Sequence, residues 1–497
     1  MKNKLKKINI SFLNLAAQSP SIELNFAMSE KIHIESNRKK HVFFMCDRAL
    51  NSCSVNITHS KSICDICRHK AKKGFKYFNE RNPNSELIKV SKKDLNTTKF
   101  EKDNKIMDEL MLGVHSTIGS QLRLDDMSLL NTKWSNIKFL MTKSSLGLYS
   151  YFNNFLKNNN VENFIIFNGR ISCARPLKKV SQDNNVNYIL FDGARNGMTP
   201  YYSKNEMFHS INFEKNNALK TYLKHFLDSR KIASDYSFKK QNKIPILRDI
   251  VFTKNQQTGY LDEKIQALKK PLITIFVSSD DEYRYLGSDF GKEPIVDQID
   301  SIYTLVSSSV KDNYDFVVKM HPNQNKSHKS ILKKYNSLSK KILTIFPDNK
   351  SDSYALIKKS KIIISFSSSI GAEANYLSKP VIQIGPSKWM GLPTANFVKN
   401  SNEAIEMILN SAYKIMPKRS SIAYFTFNMK ANFKLETYHY IEDGAYTYAN
   451  KFIKAPFVLR VLAVIPKLYQ AFLRGDNEVF TKLYLYIPNL LFGRTKG

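Results

Sequence analysis

The chain has 497 residues, of which 42% are hydrophobic and 24% charged. That composition supplies an ordinary globular core and excludes a disordered chain, a collagen-like repeat and a polytopic membrane protein. Charge is the departure: 76 Lys and Arg stand against 43 Asp and Glu, a net charge of +33, which points to a polyanionic neighbour such as nucleic acid, an anionic membrane face or a phosphate-bearing substrate.

The N-terminus is basic, but its apolar run from Ile8 to Ala17 is short and broken by Asn and Ser. It reads as a first strand rather than a signal peptide. No stretch reaches the roughly 18–20 apolar residues of a membrane span, and five cysteines are too few for a secreted disulfide scaffold. A cytoplasmic protein is expected.

Residues 1–225 alternate strands (Ile8–Leu13, His41–Met45, Asn163–Phe167, Tyr188–Phe191) with helical patterns such as Ile106–Leu122 and Ile137–Leu156, which predicts a parallel sheet covered by helices. Residues 226–268 are polar and Lys- and Ser-rich and read as an interdomain linker. The alternation returns over 269–415: strands at Pro271–Ser279, Tyr314–Met320, Ile342–Phe346, Ile362–Phe366 and Val381–Ile384 are separated by four helical crossovers, a doubly wound α/β domain. Residues 416–497 break the pattern with aromatic clusters and a basic apolar tail, which predicts a helical, amphipathic segment. From Lys451 onward eight Lys or Arg face only Asp476 and Glu478, so the tail suits either an anionic lipid surface or a solvated face of a packed helix.

Ligands of open α/β sheets bind beyond the carboxyl ends of the strands. In FVVKMHPNQN a buried strand runs into His321-Pro322, preceded by Lys319; an imidazole there can donate to a phosphate and offset charge on a leaving nucleotide. In IIISFSSSIGAEA a strand ends in Ser367, Ser368 and Ser369 before a helix that starts near Gly371. Hydroxyls and unpaired N–H groups at a helix start form an anion site, Gly371 permits close backbone approach, and Glu373 is placed to accept from ribose hydroxyls. FVSSDDE puts Ser278, Ser279 and Glu282 at the end of the domain's first strand. No dinucleotide glycine fingerprint or Walker A sequence is present, which argues against NAD enzymes and P-loop ATPases.

In the N-terminal half, FNGR and FDGAR each put a strand into a glycine turn. Asn168, Arg170 and Arg195 are candidate acceptor-binding residues, and Asp192 is a candidate general base for an acceptor hydroxyl. Cys46, Cys53, Cys64 and Cys67, spaced C-x6-C-x10-C-x2-C, suggest structural zinc. The first spacing is wider than usual for zinc, and Cys173 reads as inert; at the catalytic site itself no metal or cofactor is expected.

With the SSDDE, strand-His-Pro and strand-SSS-x-GAEA elements in this order, the sequence resembles bacterial capsule polysaccharide biosynthesis glycosyltransferases, best over 271–395 and more weakly over 163–200. The resemblance implies a GT-B fold, two Rossmann-like domains facing across a cleft. Its motifs are also similar to those of Kdo transferases and bacterial sialyltransferases, which implies that His321 binds and helps expel the nucleotide phosphate while Ser367, Ser368 and Ser369 hold it. Phe191 stands where the sialyltransferases carry the first of two acids, leaving Asp192-Gly193 alone. The function so implied is metal-independent, inverting transfer from a nucleotide-sugar to a capsule or lipopolysaccharide acceptor, glycan or lipid-linked, by an enzyme held peripherally at the inner membrane. A CDP-polyol phosphotransferase of the teichoic-acid type is the alternative. A zinc-containing nucleic-acid-binding protein is the distant one, disfavoured because the basic residues are spread along the chain and no nucleic-acid module appears.

Overall fold

The computed structural model describes residues 6–96, 103–194, 198–246, 253–279, 283–291, 295–431, 433–441 and 445–475. They form two compact units. The first takes the described residues of Met1–Leu122, Asp126–Glu206 and Phe433–Gly497, and the second those of Arg123–Asp125 and Met207–Asn432.

The first unit is built on β1 (Ile8–Phe12), β2 (His41–Cys46), β3 (Ser85–Val90), β4 (Val161–Phe167), β5 (Asn187–Ala194) and β6 (Thr199–Lys204). They lie in the order β3-β2-β1-β4-β5-β6, parallel except for the antiparallel pair β5–β6. The central strands are covered on both faces and carry near-continuous apolar runs, as in the buried Phe164, Ile165 and Ile166 of β4. Two strands go beyond the sequence expectation. β3, SELIKV, is an edge strand buried fully only at Val90, so its apolar residues do not stand out from their polar surroundings. β6 contains Pro200 and pairs only with β5, the edge position where a strand proline is tolerated.

The second unit holds β7 (Leu272–Phe276), β8 (Asp315–Lys319), β9 (Leu343–Ile345), β10 (Ile362–Ser365), β11 (Val381–Ile384) and β12 (Asn396–Val398). Their order is β12-β11-β10-β7-β8-β9, and every pair is parallel. All five expected strands are present, and β12, three residues long, is a sixth. Ile273, Ile275, Val318, Ile364 and Ile382 form the centre of its core. Each sheet therefore has the Rossmann order, and each reverses direction of growth at one point: between β1 and β4 in the first, between β7 and β10 in the second. Both units are doubly wound α/β structures.

The segment 226–268, expected as linker, contributes the helix Ser229–Gln241 to the second unit. Tyr236 on it stacks on Phe425 with centroids 4.2 Å apart, and the helix Lys418–Lys430 packs against it and against Ile211–Lys224. The C-terminal segment is not wholly helical. A hairpin of β13 (Tyr438–Ile441) and β14 (Ala445–Tyr448) precedes the helices Phe457–Leu462 and Val464–Leu473; the rest of the predicted tail, 476–497, lies outside the described residues.

The hairpin is part of the first unit's core. Tyr448, 0% exposed, sits with its ring centroid 5.7 Å from Phe26 and 6.5 Å from Phe78. Its hydroxyl donates to Glu30 Oε2 at 3.0 Å, while Arg81 Nε donates to Glu30 Oε1 at 2.8 Å. Tyr448→Ala would leave a ring-sized void and an under-satisfied buried carboxylate, at an expected cost of about 3–5 kcal/mol. The check is the urea midpoint of the purified variant, which should fall markedly with secondary structure retained.

Candidate functional site

At the switch point of the second sheet, the carboxyl ends of β7, β8 and β10 bring most of the predicted residues together. Beyond β7, Ser278 and Ser279 are buried. Ser278 is tightly held: its N–H donates to Gln298 Oε1 at 2.9 Å, and its carbonyl accepts from Gln298 and Gln324 side-chain amides, each at 3.3 Å. Beyond β8, Pro322 opens a short 3-10 turn that closes as a capping box around His321. Gln324 Oε1 accepts from the His321 N–H at 2.9 Å, and His321 Nδ1 accepts from the Asn323 N–H at 3.1 Å. With Nδ1 an acceptor, the neutral ring carries its proton on Nε2. The same packing that stops the strand thus sets a histidine as a donor.

The three serines after β10 differ in what their hydroxyls do. Ser367, in a left-handed conformation at φ 50°, donates to the Pro386 carbonyl at 2.5 Å. Ser369 donates to Glu373 Oε1 at 3.2 Å. Ser368 Oγ accepts from the Ile370 N–H at 3.5 Å, which leaves its own hydrogen to donate. The following helix, Ile370–Tyr376, is seven residues long, so side-chain cations rather than its dipole carry the local positive charge.

Those cations are Lys240 and Lys388. Together with Ser278, Ser279, His321, Asn323, Ser367, Ser368, Ser369, Tyr283, Trp389, Tyr424 and Asn428 they line a cavity of about 220 Å³. No carboxylate stands among its described lining residues. Serine hydroxyls, an imidazole and two ammonium groups around one space make an anion site, and the tyrosine and tryptophan rings give it an aromatic wall. Lys388 Nζ lies 5.6 Å from the centroid of the Tyr283 ring.

Beneath it, a smaller cavity of about 70 Å³ is lined by Lys319, His321, Ser353, Tyr354, Ser368, Ser369, Glu373 and Lys240 among others. Glu373 is 4% exposed, accepts from the Tyr354 hydroxyl and from Ser369, and pairs with Lys240 Nζ at 3.5 Å. It braces the serine turn and Lys240. Gly371 is required by packing: a Cβ there would fall 2.6 Å from the Trp389 ring, whose Nε1 donates to the Ser368 carbonyl at 3.1 Å. Glu282 lies outside the described residues.

In the first unit, Asn168 and Asp192 lie together at the ends of β4 and β5. Asn168 Nδ2 donates to Asp192 Oδ2 at 2.5 Å, and the Gly193 N–H donates to Oδ1 at 2.7 Å. Burial raises the Asp192 pKa against those bonds, so its carboxylate is a better proton acceptor than an exposed one. Arg170 Nη1 donates to Ser116 and Ser120 hydroxyls at 2.8 and 3.1 Å. Arg195 lies outside the described residues.

Sequence reasoning missed Lys240, Lys388 and Tyr283. Lys240 sits in a Lys-rich polar stretch that reads as a solvated face. For Lys388 a signal existed: the run VIQIGPSK ends a buried strand in a turn, the same strand-end rule that found His321.

A family model for UDP-N-acetylglucosamine 2-epimerase matches residues 292–427. No curated protein matches the chain. Among solved structures, it is similar to Thermosulfurimonas dismutans KpsC, a beta Kdo 2,4 transferase, at 12% identity over 54% of this chain and 79% of that one, with a TM-score of 0.34. It is also similar to the Methanocaldococcus jannaschii UDP-GlcNAc 2-epimerase in complex with UDP-GlcNAc and UDP (11% identity, 84% and 97% covered, TM-score 0.26). A third is the Burkholderia multivorans trehalose 6-phosphate synthase (8%, 85% and 94%, 0.27). Likenesses this distant fix no activity, and the Rossmann-like description rests on the strand orders of the two sheets.

Lys319, which lines the smaller cavity with Lys240, His321, Ser368 and Ser369, offers a pH test. Buried and donating to the Ser351 carbonyl at 3.1 Å, its ammonium is pushed down to about 8 by desolvation, with Asp352 opposing. It is a cation below that pH and neutral above it. Affinity for pyrophosphate should therefore hold up to about pH 8 and fall as pH rises further, in calorimetric titrations between pH 6.5 and 9.5. Lys319→Met should flatten that fall.

Proposed function

We propose that the chain is a glycosyltransferase that binds a nucleotide-sugar in the second unit and passes the sugar to a bacterial surface polysaccharide, capsule or lipopolysaccharide, or to its lipid-linked precursor. The observation that carries this is the cavity that His321, Ser368, Lys240 and Lys388 line together, with no carboxylate among its described lining residues and Glu373 behind Lys240. A nucleoside diphosphate leaving group develops negative charge as the glycosidic bond breaks. Fixed donors at its phosphates stabilise that charge in the way a divalent cation does elsewhere. His321 Nε2–H and the Ser368 hydroxyl would supply hydrogen bonds and the lysines charge, which supports a metal-independent reaction. Asp192, raised in pKa, suits the base that takes the acceptor's proton in an inverting displacement, with Asn168 orienting it and Arg170 and Arg195 binding the acceptor.

The test is thermal-shift binding of CMP, CDP, UDP, GDP and their sugars, with and without EDTA. At a hundredfold excess over Kd the matching nucleotide should stabilise the protein by about 2.7 kcal/mol, a rise of a few degrees that survives EDTA. The similarity of 292–427 to UDP-N-acetylglucosamine 2-epimerases makes uridine the first base to try. His321→Ala should abolish the selective shift and lower turnover by about 10²-fold; an unchanged shift in that variant would remove His321 from the phosphate site.

The same family match favours a second reading, epimerisation of a UDP-sugar in this site. Incubation without acceptor separates the two, because an epimerase returns an isomeric UDP-sugar whereas a transferase leaves its donor unchanged.

Part of this proposal is a peripheral contact with the inner membrane. No described helix is long and apolar enough to cross a membrane. The helices Phe457–Leu462 and Val464–Leu473, however, expose Val458 (64%), Leu462 (59%), Ile465 (77%) and Phe472 (60%) among Lys454, Arg460 and Arg474, the composition of an interfacial surface. In co-sedimentation with phosphatidylglycerol vesicles, Leu462→Glu with Ile465→Glu should reduce the bound fraction severalfold, and salt should reduce it in the wild type.

A further inference from the structure

In the second unit a short turn over residues 225–228 joins the helices Ile211–Lys224 and Ser229–Gln241, and its apolar side chains are uncovered. Leu223 is 70% exposed, Phe226 58% and Leu227 94%, and Leu219, one turn earlier, is exposed as well. Positions 219, 223, 226 and 227 have the spacing of one helical face. A single exposed leucine is ordinary in a soluble protein, whereas several on one face mark a surface that meets something.

This tip is not a frayed end. Both helices are anchored on their inner sides: Phe213, Ala218, Ile232, Ala233 and Tyr236 are buried, and the helix Lys418–Lys430 packs on the two of them. The turn also pairs its backbone. The His225 N–H donates to the Thr221 carbonyl and the Asp228 N–H to the His225 carbonyl, each at 3.1 Å. The Phe226 carbonyl accepts from the Ser229 N–H at 3.3 Å and from the Ser229 hydroxyl at 2.7 Å. The Phe226 ring meets Tyr222 edge-on, with centroids 5.6 Å apart. The apolar groups are therefore held outward by a turn whose backbone bonds are internal.

Charge selects what the tip meets. Lys220, Lys224, Arg230 and Lys231 are all exposed beside it, against the one acid Asp228. Lysine is depleted where proteins bury surface against each other. An anionic lipid surface attracts it, and its long stem lets the ammonium stay at the headgroups while neighbouring apolar side chains go deeper. A turn that satisfies its own backbone can enter that boundary without carrying unpaired N–H groups into it.

We propose that this tip inserts into the interface of an anionic bilayer, with Leu223, Phe226 and Leu227 at the boundary of headgroups and acyl chains and Lys220, Lys224, Arg230 and Lys231 among the phosphates. The proposal deepens the peripheral contact proposed above and rests on it: the second unit then carries a lipid-binding element of its own, besides the C-terminal helices.

The test compares four forms of the full chain by co-sedimentation with phosphatidylglycerol vesicles: wild type, Leu223→Ser with Leu227→Ser, Leu462→Glu with Ile465→Glu, and all four substitutions together. The tip pair should lower the bound fraction severalfold by itself, and the combination should lower it further than either pair. The substituted side chains are exposed, so thermal midpoints should stay at the wild-type value. Insertion is read separately in Leu227→Trp, whose emission should shift to the blue on adding vesicles and be quenched by brominated lipid. The native Trp134 and Trp389 are buried, so the difference from wild type reports the tip. Full binding by the tip pair while the C-terminal pair loses it, or an indole at 227 that stays in water, would overturn the tip and leave the peripheral contact standing. A wild type that ignores the vesicles would remove both. A dimer in sedimentation velocity that the tip pair dissolves, with vesicle binding unchanged, would assign the tip to a second copy of the chain instead.

Discussion

A parallel strand buried on both faces has to release its chain at its carboxyl end, and a sheet that grows in two directions cannot cover the place where those directions part. In the second unit that place lies between β7 and β10, and the chemistry collects there. Ser278 and Ser279 leave β7, His321 leaves β8, and the serine turn leaves β10. None of these groups is near another in sequence. Their meeting is a consequence of strand order alone, and each is then held by a local device: the two glutamine amides on Ser278, the capping box on His321, the left-handed turn and the Trp389 indole on the serines.

Much of this was legible beforehand because the signals are strong where strands are central. β8, β10 and β11 are short, mostly apolar runs followed within a few residues by Pro, Ser or Gly, and their ends identify the candidate residues. Legibility fails at edges and in long-range contacts. β3 and β12 are half-buried or very short. Lys240 comes from a helix whose apolar side, Tyr236 against Phe425, makes sense only once the helix Lys418–Lys430 lies across it. The role of Gly371 is another such case: a requirement for glycine is visible in the motif, but that Trp389 imposes it is not. Likewise three adjacent serines look equivalent in the sequence, and only hydrogen-bond partners distinguish Ser368 from its neighbours.

The same topological constraint acts in the first unit with different side chains. The chain beyond β1, β2 and β4 lines a cavity at the switch point with apolar side chains and thiols, and the Asn168–Asp192 pair stands at the ends of β4 and β5. One architecture thus presents an anion site of hydroxyls and cations in one copy and a sulfur-lined cavity in the other. Among the described residues no group of three His, Cys, Asp or Glu side chains is arranged to hold zinc there. The excess of Lys and Arg is compatible with both, and Lys240 and Lys388 bring part of it to the cavity of the second unit.

The placement of Tyr448 in the first unit's aromatic core also orders events during synthesis. The second unit is contiguous apart from residues 123–125 and is complete when residue 432 has left the ribosome. The first unit began earlier, but the ring that packs on Phe26 and Phe78 and answers Glu30 is made later. The N-terminal half therefore waits, with its aromatic cluster unsealed, while the inserted unit folds ahead of it. Domains generally fold as units as they emerge, and here the first to be started is the last to close.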